Sequence, residues 1–345
     1  MTSPVTYTST LSDSEPTEFI LPDLVNDIHY PLRLNPRYYP ISRASEKWLL
    51  TGTHLTESEI TTFMGLRAGE LAAACYPDAD AFHLRVCSDF FNWLFNMDDW
   101  LDEFDVDSTW RMRECCISAL RDPINSETEK LGVKMCKSYF SRFRLTSSSG
   151  CTERFIHTMD LFFIAVAKQA DDRAKKRIPD LTSYITVRRD TSACKPCFVF
   201  IEYAAGIDLP DEVMSHPVMI ATEEAANDFI TWSNDIFSYN AEQSRHDTHN
   251  LVVVLMREQD LNLQGALDYS GWMCRGAIQR FEHNRAILPS WSRELDKQVA
   301  IYLQGLQDWM VGVLHWSFDS TRYFAKDGHT VKRDRIIRLL PKRPL

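Results

Sequence analysis

The sequence predicts an all-α protein built as one domain. Three observations point that way. Apolar residues recur every three or four positions over long stretches. Glycine is scarce, at 12 of 345 residues. The short alternating runs bounded by Asn-Gly or Gly-Gly turns that would mark strands are nearly absent. In chain order, the stretch to Leu21 is rich in Ser, Thr and Pro and reads as a disordered leader. Thr56-x-x-Glu59 has the form of a capping box and opens a helix. Ala81–Trp100 and Arg154–Ala170 are so continuously apolar that both read as buried helices. Pro179-Asp180 introduces a helix over Leu181–Ala204, and Leu209-Pro210-Asp211 introduces one over Glu212–Glu242. Asp260–Leu288 and Ser292–Tyr323 complete the set, so the domain is expected to span residues 22–331, with a separate basic tail over 332–345.

Composition narrows the function classes. With 44% hydrophobic and 25% charged residues the chain is neither disordered nor fibrous. A net charge of −10 does not suit phosphate backbones, so nucleic acid is not the expected partner. No uncharged apolar run is long enough to span a membrane, and the polar start has no basic-then-apolar signal. Nine cysteines without an export signal imply a reduced, cytoplasmic protein and no disulfide framework. The C-terminal KRDRIIRLLPKRPL holds six basic residues and one acid, and by itself reads as a solvated tail.

Two polar clusters interrupt the apolar helices. Asp98, Asp99 and Asp102 form DDxxD, with Asp98 and Asp102 one turn apart on one face. Acids at a helix C-terminus oppose the macrodipole and repel one another. A hard divalent cation such as Mg²⁺ would offset both costs, whereas a solvated acidic face is the plainer explanation. In NDIFSYNAE, Asn234, Ser238 and Glu242 fall at i, i+4 and i+8 and share a stripe. An amide carbonyl, a hydroxyl and a carboxylate form an all-oxygen set that also suits Mg²⁺. An ordinary polar helix face is the alternative, although Asn and Ser are poor choices for a helix interior.

Taken together, DDxxD at 98–102, NDIFSYNAE at 234–242 and Arg322-Tyr323 resemble the class I terpene cyclases, in particular fungal sesquiterpene synthases. Order and spacing both match, and the resemblance covers residues from about 25 to 325. It implies a helical bundle around a central apolar cavity, with Mg²⁺ (three ions, bound together with substrate diphosphate) held by Asp98, Asp102, Asn234, Ser238 and Glu242. The arginine 46 positions before Asn234 is Arg188, which inherits a pyrophosphate-sensing role; Thr191 and Ser192 follow at the linker and effector positions. Arg322 and Tyr323 would add donors to the diphosphate. The implied reaction is ionisation of farnesyl diphosphate and cyclisation of the cation, by a monomer or homodimer. Aromatic faces would steady that cation. The candidates are Phe91, Phe95 and Trp316, with Phe162, Phe200 and Trp232 as further ones.

The chain departs from the family pattern twice. Ala193 stands where glycine often follows the linker and effector pair, and Ala241 where a basic residue commonly precedes the glutamate. The missing cation is expected from Arg189, Lys195 or the tail. Cys194-Lys-Pro-Cys197 lacks the strand context of a redox motif, and His246-x-x-His249 falls short of a zinc site. A prenyl-chain-elongating transferase would need a second DDxxD on the facing helix, and Asp171-Asp172 lacks the third acid. A non-catalytic helical protein with an acidic groove is the remaining alternative.

Overall fold

A computed structural model describes residues 17–344 of the chain. A short strand β1 (Glu18–Ile20) leads into α1 (Leu24–Asp27), α2 (Tyr38–Gly52), α3 (Glu57–Leu66), α4 (Ala68–Cys75) and α5 (Ala81–Glu103). Next come α6 (Val106–Arg121), α7 (Leu131–Phe143), α8 (Ser149–Ala174), α9 (Leu181–Thr191), α10 (Cys194–Ala205) and α11 (Asp211–Met214). The chain continues through α12 (Pro217–Ser244), α13 (Leu251–Glu258), α14 (Leu263–Ala286), α15 (Arg293–Asp319), α16 (Gly328–Asp334) and β2 (Ile336–Arg338). Side-chain caps set many of the starts. Asp80, Asp105, Ser148, Asp180, Asn262 and Ser292 each accept a backbone N–H at the head of their helix, and Thr56 with Glu59 completes the expected capping box.

Two expected helices are each divided, in both cases by a proline. Leu181–Ala204 breaks between Thr191 and Cys194, where Ala193 takes a left-handed φ of 56°. Pro196 has no N–H to give the Ser192 carbonyl, and its ring would collide with that carbonyl in a continuous helix. Glu212–Glu242 breaks before Pro217, which sits in the first turn of α12 and bars helical backbone at the residue before it. The helices α2, α3, α4, α6, α7 and α13 lie outside the ranges expected from periodicity; they are 8 to 16 residues long and are read more weakly from sequence alone.

The helices enclose a core rich in large aromatics. Phe90, Phe155, Phe140, Phe143 and Phe200 are fully buried and touch through stacked and edge contacts. α12 packs on α14 and α15, α8 on α6, α9 and α10, and α5 on α2, α4 and α7, so that α4, α5, α10, α12 and α15 face a common interior. Close approach depends on small residues: a Cβ added to Gly312 of α15 would come within 3.0 Å of Ala74 on α4.

Both chain ends depart from expectation. Residues 1–16 of the leader lie outside the described residues, but residues 17–21 are ordered, with Phe19 and Leu21 buried. β1 pairs antiparallel with β2, Phe19 opposite Ile337, in the one sheet among the described residues. The expected start of the tail at 332 falls inside α16, and the chain beyond it is docked rather than merely solvated. No helix among the described residues is long and apolar enough to cross a membrane.

Candidate active site

A cavity of about 150 Å³ sits among α4, α5, α9, α10, α12 and α15. Phe91, Phe95 and Asp98 reach it from α5; Ile230, Thr231 and Asn234 from α12; Trp309, Val313 and Trp316 from α15. Arg188, Thr191, Ser192 and Ala193 approach from the α9–α10 break, and Arg322 and Tyr323 from the turn after α15. Asp98 and Asn234 therefore line one chamber, as the sequence requires. The aromatic walls are ordered: Phe95 stacks on Trp316 with centroids 5.5 Å apart, and Phe91 meets Trp309 edge-on at 5.3 Å. Trp316 is fixed by its indole N–H, which donates to the Leu66 carbonyl at 2.6 Å.

A chain of contacts links the two motif helices. Arg322 places Nη2 3.5 Å from Asp98 Oδ2 and lies 5.0 Å over the Phe95 ring. Its neighbour Tyr323 accepts a bond from Asn234 Nδ2 at 2.5 Å. From the other side, Arg188 Nη2 donates to Asn234 Oδ1 at 2.8 Å. Burial works against the Arg188 charge, but Asp235 accepts from its Nε and Nη2 at 3.0 and 2.9 Å and keeps it protonated. Asp235 is itself held by the Tyr184 hydroxyl and by Leu251 N–H. The Arg188 Nη1 edge makes only a 3.5 Å contact to Thr191 Oγ1, so this edge remains available.

Ser238 and Glu242 lie further along α12 and are bridged by one residue. Asn250 Nδ2 donates to Glu242 Oε2 at 2.9 Å and reaches Ser238 Oγ at 3.5 Å. Burial, with Asp235 and Asp247 adding repulsion, pushes the Glu242 carboxyl up to about 7. No ion pair among the described residues relieves it. A half-buried carboxylate lacking a paired cation, beside a hydroxyl and an amide oxygen on one stripe, fits a hard divalent ion. On α5, desolvation and the neighbouring Asp98 push the Asp102 carboxyl up to about 6, although its side chain is more than half exposed and Arg173 lies 3.8 Å away.

Other expectations divide. Asp102 does not line the cavity; with Asp99, Arg173, Lys176 and Arg245 it lines a wider cleft of about 1040 Å³. Ser192 borders the cavity, yet its hydroxyl donates to Asn227 Oδ1 at 3.0 Å and accepts from Cys194 N–H. Phe162, Phe200 and Trp232 are absent from the cavity wall: Phe162 packs on Phe163, Phe200 stacks on Phe90, and Trp232 lies under Arg280. Arg189 is committed to Asp228 and Glu224, and Lys195 to Asp190, so neither replaces the cation missing at Ala241. Arg245, one turn beyond Ala241, faces the cleft instead. The motifs gave no signal for Trp309, Asp235, Tyr184 or Asn250. Asp235 stands next to Asn234 in the sequence, but its burial and its pairing with Arg188 depend on how α9 crosses α12.

The chain is similar to several known proteins. The profile described as "Terpene synthase family 2, C-terminal metal binding" matches residues 89–280. The chain is 48% identical to "Sesquiterpene synthase 2" of Postia placenta, over 97% of this chain and 99% of that protein. It is 46% identical to "Sesquiterpene synthase Agr1" of Cyclocybe aegerita, over 95% of both. It is 44% identical to an "Alpha-muurolene synthase" of Coprinopsis cinerea, over 97% of this chain and 81% of that one. Among solved structures, an α-eudesmol synthase superposes with a TM-score of 0.77 at 20% identity, covering 84% of this chain and 97% of that one. The germacradien-4-ol synthase of Streptomyces citricolor gives 0.74 at 23% identity, covering 84% and 96%. At these identities the structural matches speak to the helical fold alone.

Proposed function

The chain belongs to terpene synthase family 2 and is a sesquiterpene synthase, a class I terpene cyclase with a divalent-metal-binding domain, and from that premise we propose that it ionises farnesyl diphosphate with Mg²⁺ and cyclises the resulting cation. One observation carries the reading: Asp98, Arg188, Asn234, Arg322 and Tyr323 border a single chamber whose other walls are mostly apolar and aromatic, with Thr191, Ser192 and Thr231 the polar exceptions.

Asp98, with Asp102 at the rim, would hold metal on one side, and Asn234, Ser238 and Glu242 on the other. Three Mg²⁺ ions bound with the diphosphate would act as Lewis acids on the departing oxygens. Arg188, anchored on Asp235, would offer its Nη1 edge to the leaving group, and Asn234 Oδ1, which accepts from Arg188 Nη2, keeps a second lone pair for a metal. Arg322 exchanges its long contact with Asp98 for the diphosphate, and Tyr323 adds a hydroxyl donor. Arg245 supplies the cation that Ala241 cannot. Phe91, Phe95, Trp309 and Trp316 then present π-faces to the cation without offering it a lone pair. With substrate filling the chamber, its largely apolar wall would exclude water, the nucleophile that would otherwise end the cascade early.

Incubation with geranyl, farnesyl and geranylgeranyl diphosphates, followed by gas chromatography with mass spectrometry, tests the proposal. A C15 hydrocarbon or alcohol is expected from the farnesyl substrate with Mg²⁺ and none with EDTA. Turnover that survives EDTA, or is confined to the C20 substrate, overturns it.

A further inference from the structure

The C-terminal segment docks on the one turn of α12 that carries Glu242. Asn240 Nδ2 donates to the Arg338 carbonyl at 2.9 Å, and Leu340 N–H donates back to Asn240 Oδ1 at 2.9 Å. Gln243 Nε2 donates to the Leu340 carbonyl at 2.8 Å, and Arg343 N–H donates to the Ser244 carbonyl at 2.8 Å. Asn240, Gln243 and Ser244 fall at i, i+3 and i+4, on the face of α12 turned away from Ser238 and Glu242. The tail therefore grips the helix from behind while the front presents oxygen ligands.

The grip continues past the helix end. His246 N–H bonds to the Gln243 carbonyl and Asp247 N–H to the Glu242 carbonyl, a turn that usually takes glycine at its left-handed position. Here that position is His246, at φ 65°, and its Nε2–H donates to the Arg343 carbonyl at 2.8 Å. The tail thus holds a non-glycine residue in a conformation that L-residues disfavour. The turn leads within four residues to Asn250, the donor to Glu242. At its other end the segment is anchored through β2 to β1, whose Phe19 meets the Tyr239 ring edge-on at 6.0 Å.

We propose that residues 336–343 are a positioning clamp for the Ser238–Glu242 half of the metal site, acting through Asn240 and the His246 turn. The proposal rests on Glu242 being a metal ligand. Its test measures Mg²⁺ half-saturation of turnover, calorimetric binding of Mg²⁺ with inorganic pyrophosphate, and helicity by circular dichroism. Removal of residues 336–345, or Asn240→Ala in the full chain, is expected to raise the Mg²⁺ requirement roughly tenfold in both assays, as loss of an outer-shell partner does. At saturating Mg²⁺, kcat should stay within about twofold of the intact enzyme, because no ligand has been removed. His246→Gly in the shortened chain should recover about threefold of the lost affinity, since glycine needs no clamp to hold a positive φ. An unchanged Mg²⁺ requirement in Asn240→Ala overturns the clamp, as does a fall in melting temperature without any shift in that requirement. Should the shortened chain fail to fold, Asn240→Ala decides alone. Glu242→Gln is the control: if it leaves the Mg²⁺ requirement unchanged the ligand assignment fails, whereas a shift there with none in Asn240→Ala rejects the clamp only.

Discussion

At the scale of single residues, two partners in the contact chain across the chamber differ sharply in what their loss would do. Asp98 offers the only carboxylate among the residues that line the cavity, so Asp98→Ala removes a proposed metal ligand and its charge together. A fall in kcat of about 10³-fold or more is expected, with unchanged far-UV circular dichroism, because Asp98 is partly exposed and packs little. Tyr323→Phe deletes one donor while leaving Arg322 and the ring in place, so about tenfold is the expected loss. Equal effects of the two substitutions, read from steady-state rates, would contradict the division of labour proposed for them. The proposed ligand residues Asp98, Asn234, Ser238 and Glu242 were visible in the sequence because carboxylates at a helix C-terminus, and Asn or Ser inside a helix, run against local propensity. Asp235 and Asn250 were not, because their significance is a partner 47 residues back for one and 8 residues back for the other.

At the scale of elements, the α9–α10 break shows how a local rule shapes the site. Pro196 forbids a continuous helix, and the chain resolves the conflict at Ala193 with a left-handed φ of 56°. Alanine pays a steric penalty there that glycine does not. Ala193→Gly should therefore stabilise the protein by up to about 1 kcal/mol, seen as a higher melting temperature with the break retained. A lower melting temperature would show that backbone entropy in the unfolded chain outweighs the steric relief. The periodicity of Leu181–Ala204 and Glu212–Glu242 located both segments correctly but ran through their breaks. Side-chain pattern reports which face is apolar and is blind to a one-residue change of φ.

At the scale of the whole molecule, buried charge ties the far ends of long helices together. Glu223 on α12 accepts a bond from the Tyr302 hydroxyl on α15 at 2.5 Å, and burial pushes its carboxyl up to about 7. The folded state thus binds this proton more tightly than the unfolded chain, whose glutamates titrate near 4.5. Stability from this site is full below about pH 4.5 and is lost as pH rises through about 7. Glu223→Gln keeps an acceptor for Tyr302 and removes the ionisation. At pH 8 the variant should exceed the parent by about 1–3 kcal/mol in urea unfolding, and the two should converge near pH 4.5. A constant difference across that range would mean that the carboxyl titrates normally.

Much of this protein was determined by the sequence alone: an all-α chain, two oxygen-bearing stripes at helical spacing, and the arginine and tyrosine that serve them. Those features are local, set by 3.6-residue periodicity and by residues that oppose their own helix. Only the tertiary structure decided which aromatics wall the chamber. Phe91, Phe95 and Trp316 do, joined by Trp309, whereas Phe162, Phe200 and Trp232 point into solid packing. Only the tertiary structure, too, turned an apparently solvated basic tail into a strand and clamp behind α12. Packing partners and long-range backbone pairing are set by how helices cross, and that crossing is a property of the whole core rather than of any window of sequence.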